Sequence, residues 1–166
     1  MVDRSNFLEA LSDLPQAVFV ITCFRENGDP HGFTATSVTS VSVDPPTLLV
    51  CVNQDNLGAR IYEPGHRLGM HVLSAQQESL SNRFAGRGEV SGSDKFSSVE
   101  WDRRHDVPVI DRTSDVFIGA IDRMEPYQDH VMVGVEMTHV LNRNRAPLIY
   151  MASTYHQLQV ESNETS

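Results

Sequence analysis

Six hydroxyl side chains crowd into one short stretch of the sequence, GFTATSVTSVSVDPP at residues 32–46, which contains no Leu or Ile. The residues alternate as in a β-strand, but small side chains stand where bulky ones usually stabilise a sheet. Small side chains let a flat ligand approach the backbone, whose N–H groups and nearby hydroxyls can then bind the polar edge of that ligand. The alternative interpretation is a Thr-rich strand whose residues serve β-propensity alone.

A histidine begins a second candidate feature, the segment HVMVGVEMTHV at residues 130–140. Val131, Val133 and Val135 fall on one apolar face of the predicted strand, so His130 points away from that face. Histidine is the side chain that most readily changes charge near neutral pH, which suits it to holding a ligand or moving a proton. The alternative is a histidine at a strand edge with no function.

Several other kinds of site are not supported by residue spacing. The sequence has no C-x-x-C, no H-E-x-x-H and no histidine pair at helical spacing, so no metal site is predicted. The glycines of GRGEVSG do not match the G-x-G-x-x-G spacing of a dinucleotide-binding turn. No G-x-S-x-G indicates a serine hydrolase, and neither Cys23 nor Cys51 has an evident base. Both cysteines are expected to be buried, reduced thiols.

Composition and charge argue against two classes of partner. The 166 residues carry a formal net charge of −9, and Lys95 is their one lysine. No basic run could neutralise a phosphate backbone, so nucleic acid is not an expected partner. No stretch approaches the roughly 18 apolar residues of a membrane span, so no membrane contact is expected. The start lacks a signal-peptide pattern, which favours a cytoplasmic location.

The predicted elements form one domain over residues 1–166, with a core at 7–158 and a frayed tail at 159–166. Helices are predicted at 5–14, with Ser5 or Asn6 as the cap, and at 74–86, and a long ordered loop is predicted at 87–106. Strands are predicted at 17–24, from 32 to the Pro45–Pro46 pair, and at 47–53, 67–73, 115–125, 129–141 and 147–158. Strands joined mainly by hairpins indicate an antiparallel barrel, because a doubly wound sheet would alternate strands with helices.

Six segments of the chain occur in the order and at the spacing of one known family: LPQAVFVIT, HGFTATSVTSVSVDPPTLLVCVN, HVLSAQQESLSNRFAG, DKFSSVEW, VPVI and QDHVMVGVE. Through them the chain resembles the flavin reductase family from about residue 7 to 158. The resemblance implies a mainly β fold, the antiparallel split β-barrel of FMN-binding type with a few short helices. It also implies a homodimer that binds FMN or FAD and reduces it with NADH or NADPH. In many relatives, the reduced flavin passes to a separate monooxygenase.

The resemblance further implies which residues contact the flavin. Its flat ring is expected to contact Thr34, Ala35, Thr36, Ser37, Cys51, Val52 and Asn53. Its phosphate is expected to contact Gly58, Ala59, Arg83, Phe84, Ala85, Gly86 and Arg87. Both arginines could instead be ordinary charges near a helix C-terminus. In the family, the histidine of a Gly-Asp-His turn is associated with the nicotinamide, and His130 occupies that position here.

Departures from the family pattern fall near the implied site. Residues 54–59 read Gln-Asp-Asn-Leu-Gly-Ala where relatives usually have Ser or Thr, Gln128 replaces a glycine, and Met151 stands where a histidine is frequent. Two functions therefore stay open. One is an NAD(P)H-dependent flavin reductase that transfers hydride to flavin N5, and the other is a diverged flavin-binding protein with another reaction or a pure binding role.

Overall fold

The computed structural model describes residues 2–87 and 90–158. Its helices are α1 (Arg4–Ser12), α2 (Leu57–Ile61) and α3 (Glu78–Phe84), with a 3₁₀ turn at Gly92–Phe96. Its strands are β1 (Gln16–Ala17), β2 (Phe19–Phe24), β3 (Pro30–Ala35), β4 (Val38–Val43), β5 (Pro46–Asn53), β6 (Arg67–Val72), β7 (Trp101–Arg104), β8 (Val107–Ile110), β9 (Asp115–Tyr127), β10 (His130–Asn142), β11 (Leu148–Met151) and β12 (Thr154–Gln157). The prediction of a mainly β fold with few helices is confirmed.

Seven strands form one antiparallel sheet in the order β3-β2-β6-β9-β10-β5-β4. β3 and β4 are its two edges, yet only Thr36 and Ser37 separate Ala35 from Val38. Six strand spacings of about 4.8 Å would put the edges of a flat sheet about 29 Å apart. The chain from Ala35 to Val38 spans about 11 Å at most. The sheet must therefore curl until its edges approach each other, which gives a barrel that is open along one line. We call Thr36–Ser37, where the chain crosses that line, the seam.

The barrel interior is filled by alternate side chains of the curled sheet, among which Ile21, Leu68 and Met70 are fully buried. A second core lies outside the sheet, where α3 and the 3₁₀ turn pack over β2 through Phe84 and Phe96, whose rings meet edge to face at 4.9 Å. Gly32 permits this packing, because a Cβ there would lie 2.8 Å from the Phe84 ring. The C-terminal end of α3 is thereby held against β3, beside the seam.

The predicted strand from residue 32 to the proline pair is wrong as a single strand. Its first half, β3, forms the expected hairpin with β2, whereas its second half, β4, pairs with β5 at the opposite edge of the sheet. The predicted final strand is likewise two strands, because β11 and β12 form a hairpin around Ala152 and Ser153. The first error arises because the alternation of side chains continues through a change of pairing partner.

The helix boundaries also differ from the prediction. Asp3 caps α1 by accepting a hydrogen bond from the N–H of Asn6, so neither Ser5 nor Asn6 is the cap. α3 begins four residues later than predicted, although the side chain of Gln77 does accept from the N–H of Ser74 at 2.9 Å. The predicted loop at 87–106 contains the 3₁₀ turn and β7.

The predicted frayed tail at 159–166 lies outside the described residues. Of the helices that the structure describes, none combines the length and the apolar character that crossing a membrane requires.

Candidate functional site

Small side chains lie at the seam and next to it, and two of them fasten the sheet edges to neighbouring elements. The hydroxyl of Thr34 donates to the carbonyl oxygen of Ser81 on α3 at 2.6 Å, and that of Ser37 donates to the carbonyl oxygen of Cys51 on β5 at 2.7 Å. Thr36, half-buried between them, belongs to neither strand ladder and makes no hydrogen bond to another described residue. The hydroxyl and backbone of Thr36 are therefore available to a ligand that enters the seam.

Two adjoining cavities open beside the seam, and both are lined by Thr34 and Ala85. The smaller, of about 100 Å³, also has Thr36, Arg87 and Tyr150 in its wall, and we call it the tyrosine cavity. The larger, of about 350 Å³, lies between β3, α2, the end of α3 and the 3₁₀ turn. We call it the lysine cavity, since Lys95 lines it. The predicted residues that these cavities bring together are Thr34, Thr36, Phe84, Ala85, Gly86 and Arg87.

Aromatic hydroxyls and a guanidinium form the polar wall of the tyrosine cavity. The Tyr155 hydroxyl hydrogen-bonds with the Ser81 hydroxyl at 2.9 Å and with the Asn82 amide oxygen at 3.1 Å, which fixes β12 against α3. Arg87 is exposed, and its Nη2 lies 3.4 Å from the Tyr150 hydroxyl. The rings of Tyr150 and Tyr155 lie 5.1 Å apart at an angle of 59°. This wall offers aromatic surface and one exposed positive charge next to Thr36.

The lysine cavity contains two basic side chains that are held away from water. His31 is buried, and its Nε2 has no hydrogen-bond partner among the described residues. Burial, reinforced by the positive charges of Lys95 and Arg25, lowers the pKa of His31 to about 4. Burial also lowers the pKa of Lys95, whose ammonium donates to the carbonyl oxygen of Phe84 at 3.0 Å. The cavity therefore combines a neutral imidazole with a half-buried cation.

The other predicted phosphate contacts do not line either cavity. The guanidinium of Arg83 donates to the 3₁₀ turn and its end. Its Nε lies 2.5 Å from the carbonyl oxygen of Lys95, and its Nη2 lies 2.7 Å from the carbonyl oxygen of Asp94 and 3.2 Å from the hydroxyl of Ser97. Gly58 is buried under Phe33, where an added Cβ would lie 3.0 Å from the ring. Ala59 packs on the barrel core. These residues hold the walls of the site in place, and direct contact with phosphate stays a prediction for them.

The end of β5 lies on the other side of the seam. Val52 is buried in the core, so only its backbone can face a ligand, and Asn53 is exposed. Cys51 is half-buried, so the expectation of full burial is wrong for this thiol and right for Cys23. Burial raises the pKa of Cys23 to about 12, which leaves it unreactive. The β5 backbone is thus the surface that Cys51, Val52 and Asn53 offer to the seam.

His130 starts β10 directly opposite Asn53, as their register pairing shows. Its side chain is 41% exposed, and its Nδ1 lies 2.8 Å from the Asp129 carboxylate. That hydrogen bond lowers the pKa of Asp129. The turn before His130 is fixed by Gln54, whose amide donates to the carbonyl oxygen of Gln128 at 3.0 Å. His130 therefore stands at the rim of the barrel, outside both cavities.

Another cavity, of about 660 Å³, contains none of the predicted residues. Arg25, Arg60 and His66 line it, and both ring nitrogens of His66 contact carbonyl oxygens, of Ile61 at 3.2 Å and Phe24 at 2.9 Å. His66 is thus engaged in structural contacts. The seam and its two cavities are therefore the better candidate site.

Sequence reasoning missed four residues that line the site: His31, Lys95, Tyr150 and Tyr155. Two signals were present, since His31 immediately precedes the small-residue strand and Lys95 is the one lysine of the chain.

Comparisons with known proteins identify the family. The family model described as flavin reductase like domain matches residues 11–159. The chain is 34% identical over 152 residues to a flavin reductase (NADPH) of Lentzea aerocolonigenes, covering 90% of this chain and 86% of that protein. It is 31% identical to the reductase component of 4-hydroxyphenylacetate 3-monooxygenase of Pseudomonas aeruginosa, covering 94% of this chain and 92% of the relative.

Solved structures give the same result. A crystal structure of a flavin reductase from Haemophilus somnus superposes with a TM-score of 0.87 at 31% identity, covering 95% of this chain and all of the other. An NADH:FAD oxidoreductase of Streptomyces globisporus, in complex with NAD and FAD fragments, superposes with a TM-score of 0.85 at 26% identity, covering 97% of this chain and 96% of the other. By sequence and fold, the chain belongs to the flavin reductase family.

Proposed function

We propose that the protein is an NAD(P)H-dependent flavin reductase that transfers hydride from a nicotinamide to N5 of FMN or FAD. The observation that carries the proposal is the seam, where the chain crosses between the two sheet edges through small residues and leaves Thr36 without a partner among the described residues. Two cavities adjoin this point, so a flat ring at the seam has room for its substituents on one side.

The residues at the seam fit a flavin. When bound, the flavin supplies the hydride acceptor and the nicotinamide supplies the donor. A flat, largely apolar ring with a polar edge needs small side chains, backbone donors and few charges, and residues 34–37 provide these. The unpartnered Nε2 of buried His31 indicates that the adjoining lysine cavity takes a polar group, because a buried polar atom without a partner is costly.

The chain's own residues act by binding and orientation. The backbone at Thr36 and Ser37 and the end of β5 position the ring edge, where hydrogen bonds to developing negative charge lower the barrier. His130, hydrogen-bonded to Asp129, can hold the nicotinamide at the rim or supply a proton there. No further acid or base is required, because the two cofactors carry out the chemical step.

Two relatives are named as reductase components of a monooxygenase, which supports the use of the reduced flavin by a second enzyme. We infer that this protein supplies reduced flavin to a partner monooxygenase. The open seam supports that inference, because a flavin bound at an edge can leave after reduction.

We also infer that the protein acts as a homodimer. None of the residues of α1 is buried, although Phe7, Leu8 and Leu11 form an apolar stripe on it. Val43 on β4 is 92% exposed. A second copy that covers such surfaces would remove apolar area from water. Light scattering should then give a mass about twice 18.5 kDa, and a monomer at micromolar concentration would refute the dimer.

A spectrophotometric assay tests the main proposal. Purified protein is mixed with NADH or NADPH and excess FMN or FAD, and the absorbance of the reduced nicotinamide is followed. Oxidation well above the uncatalysed rate is expected with at least one pair. Flavin binding without oxidation would replace the reductase by a flavin-binding protein of another function, and neither binding nor oxidation would refute both.

A further inference from the structure

We propose that His31 and Lys95 bind the phosphate group of the flavin nucleotide in the lysine cavity. The inference rests on the proposed function for the position of the flavin ring at the seam. It assigns the phosphate contact, in place of Arg83, to two residues that lie in the family segments but were not among the expected flavin contacts.

The first step is the position of the cavity. It shares Thr34 and Ala85 with the cavity that opens on Thr36, so a ligand with its ring at the seam can extend a chain into it. The cavity also has room at its backbone wall, since a Cβ built on Gly86 or Gly92 meets nothing within 4 Å. A phosphate at the end of a short chain can therefore lie against this wall.

The second step is the set of donors that face the cavity. Lys95 uses one of its three N–H donors on the carbonyl oxygen of Phe84, which leaves two for a ligand. His31 is nine-tenths buried, and its Nε2 has no partner in the described part of the chain. A ring nitrogen that carries hydrogen can donate to a ligand oxygen. Two donors of this kind, one of them charged, suit an acceptor with several oxygens, as a phosphate is.

The third step is the charge balance. Burial disfavours the charged forms of both side chains and lowers both pKa values, and the Lys95 charge further disfavours protonation of His31. A dianion between them reverses this effect, because it stabilises positive charge on each. The chain as a whole carries a net charge of −9, so a half-buried lysine near a buried histidine is a local concentration of basic groups that favours an anionic ligand. A phosphate provides that counter-charge, whereas a neutral ligand would not.

The fourth step concerns Arg83, the cation that the family resemblance implied as a phosphate contact. All three described hydrogen bonds of the Arg83 side chain go to residues 94–97 of the 3₁₀ turn and its end. Arg83 thus positions the segment that carries Lys95. Replacing it would disturb the cavity indirectly, whereas replacing Lys95 removes a donor that faces the cavity.

The test compares flavins with and without the phosphate. Dissociation constants of FMN and riboflavin are measured by flavin fluorescence for the wild type, Lys95→Met and His31→Phe. Met keeps most of the length of the lysine side chain, and Phe keeps a ring next to Phe33, whose centre lies 6.3 Å from that of His31. Arg104→Met is the control, since it removes one exposed positive charge from β7, outside the cavity.

The wild type should bind FMN more tightly than riboflavin. Lys95→Met should weaken FMN binding by about tenfold to a hundredfold, the range for a hydrogen bond to a charged group, with riboflavin changed by less than about twofold. His31→Phe should act in the same direction with a smaller effect, and Arg104→Met should leave the preference unchanged. Circular dichroism checks that each variant is folded, and Lys95→Met decides the matter if His31→Phe does not fold.

Three results would overturn the assignment. Equal loss of FMN and riboflavin binding would mean that Lys95 only shapes the pocket, and no loss of either would mean that it is not a contact. A raised KM for NADH with an unchanged preference for FMN would place the nicotinamide nucleotide's phosphate there instead. The reductase proposal fails separately: a preserved phosphate preference without NADH oxidation would refute the enzyme and leave this phosphate site standing.

Discussion

Acid should destabilise this protein through His71, a histidine that the structure holds in its neutral form. His71 is fully buried, its Nδ1 lies 3.0 Å from the carbonyl oxygen of Val20, and its Nε2 accepts from the N–H of Ile110 at 3.1 Å. A neutral ring with hydrogen on Nδ1 satisfies both contacts. A protonated ring would lose the second, because Nε2 would then carry hydrogen. Burial, the dominant cause, lowers the pKa of His71 to about 4.

The magnitude follows from the difference between this pKa and the value of about 6.5 in the unfolded chain. The unfolded state binds more protons between these values, so the free energy of unfolding rises with pH in that window and falls as pH drops through it. The loss due to His71 is about 2 kcal/mol at pH 5 and about 3 kcal/mol at pH 4. His31, also with a pKa of about 4, adds a loss of the same sign in the apo protein.

Urea unfolding at pH 7.5 and pH 5 measures the effect in the wild type and in His71→Gln. The variant should be less stable at pH 7.5 by about 1–3 kcal/mol, since a buried hydrogen-bonding pair is disrupted. Its deficit should shrink by about 2 kcal/mol at pH 5, because only the wild type still carries the His71 penalty there. His156→Gln, which removes an exposed ring, is the control and should differ from the wild type equally at both pH values. A deficit of His71→Gln that stays constant between the two pH values would refute the reasoning.

Three further predictions concern the turn, the packing and the rim of the site. Gln128 has a φ of 54°, so Gln128→Gly should raise the free energy of unfolding by about 1 kcal/mol in urea titrations, and an unchanged midpoint would contradict the strain. Gly32→Ala should lower the free energy of unfolding by about 1–3 kcal/mol, because the new Cβ would lie 2.8 Å from the Phe84 ring. Gly134→Ala is the control and should be tolerated, because no atom lies nearer than 3.7 Å to its Cβ. Equal losses in the two variants would rule out the contact with Phe84 as the cause. His130→Ala should raise the KM for NADH more than it changes flavin affinity, and an unchanged KM with normal turnover would remove His130 from the nicotinamide site.

Some strands, such as β2, were predicted from an apolar, β-branched run, and others, such as β10, from side chains that alternate between a buried and an exposed face. Val131, Val133 and Val135 are buried as expected, and His130 lies on the other face. Alternation did not reveal the seam, because Thr36 and Ser37 continue the alternating pattern while the backbone passes from one sheet edge to the other. Pairing partners are set by long-range contacts, and side-chain periodicity carries no information about them.

The candidate site was predicted in part for a similar reason. Local features such as the small residues at 34–37 and the end of α3 are legible in the sequence. His31 and Lys95 become neighbours of one cavity only when α3 and the 3₁₀ turn fold over β3, and no local pattern reports that arrangement. Arg83 was predicted as a phosphate contact from its position, but a cation near a helix end can bind either a ligand or nearby carbonyl oxygens. The structure shows the second.

The seam explains why a strand in this fold gives up bulky residues. A curled sheet whose two edges are joined by two residues cannot continue its hydrogen-bond ladder through them, so Thr36 belongs to the ladder of neither edge. Exposed sheet edges invite unwanted pairing, and proteins usually cover them. Here α3 covers part of β3 through the bond from Thr34 to Ser81, and Ser37 ties the other edge to Cys51. The tyrosine cavity lies beside Thr34 and Thr36, and bulky side chains at these two positions would fill it.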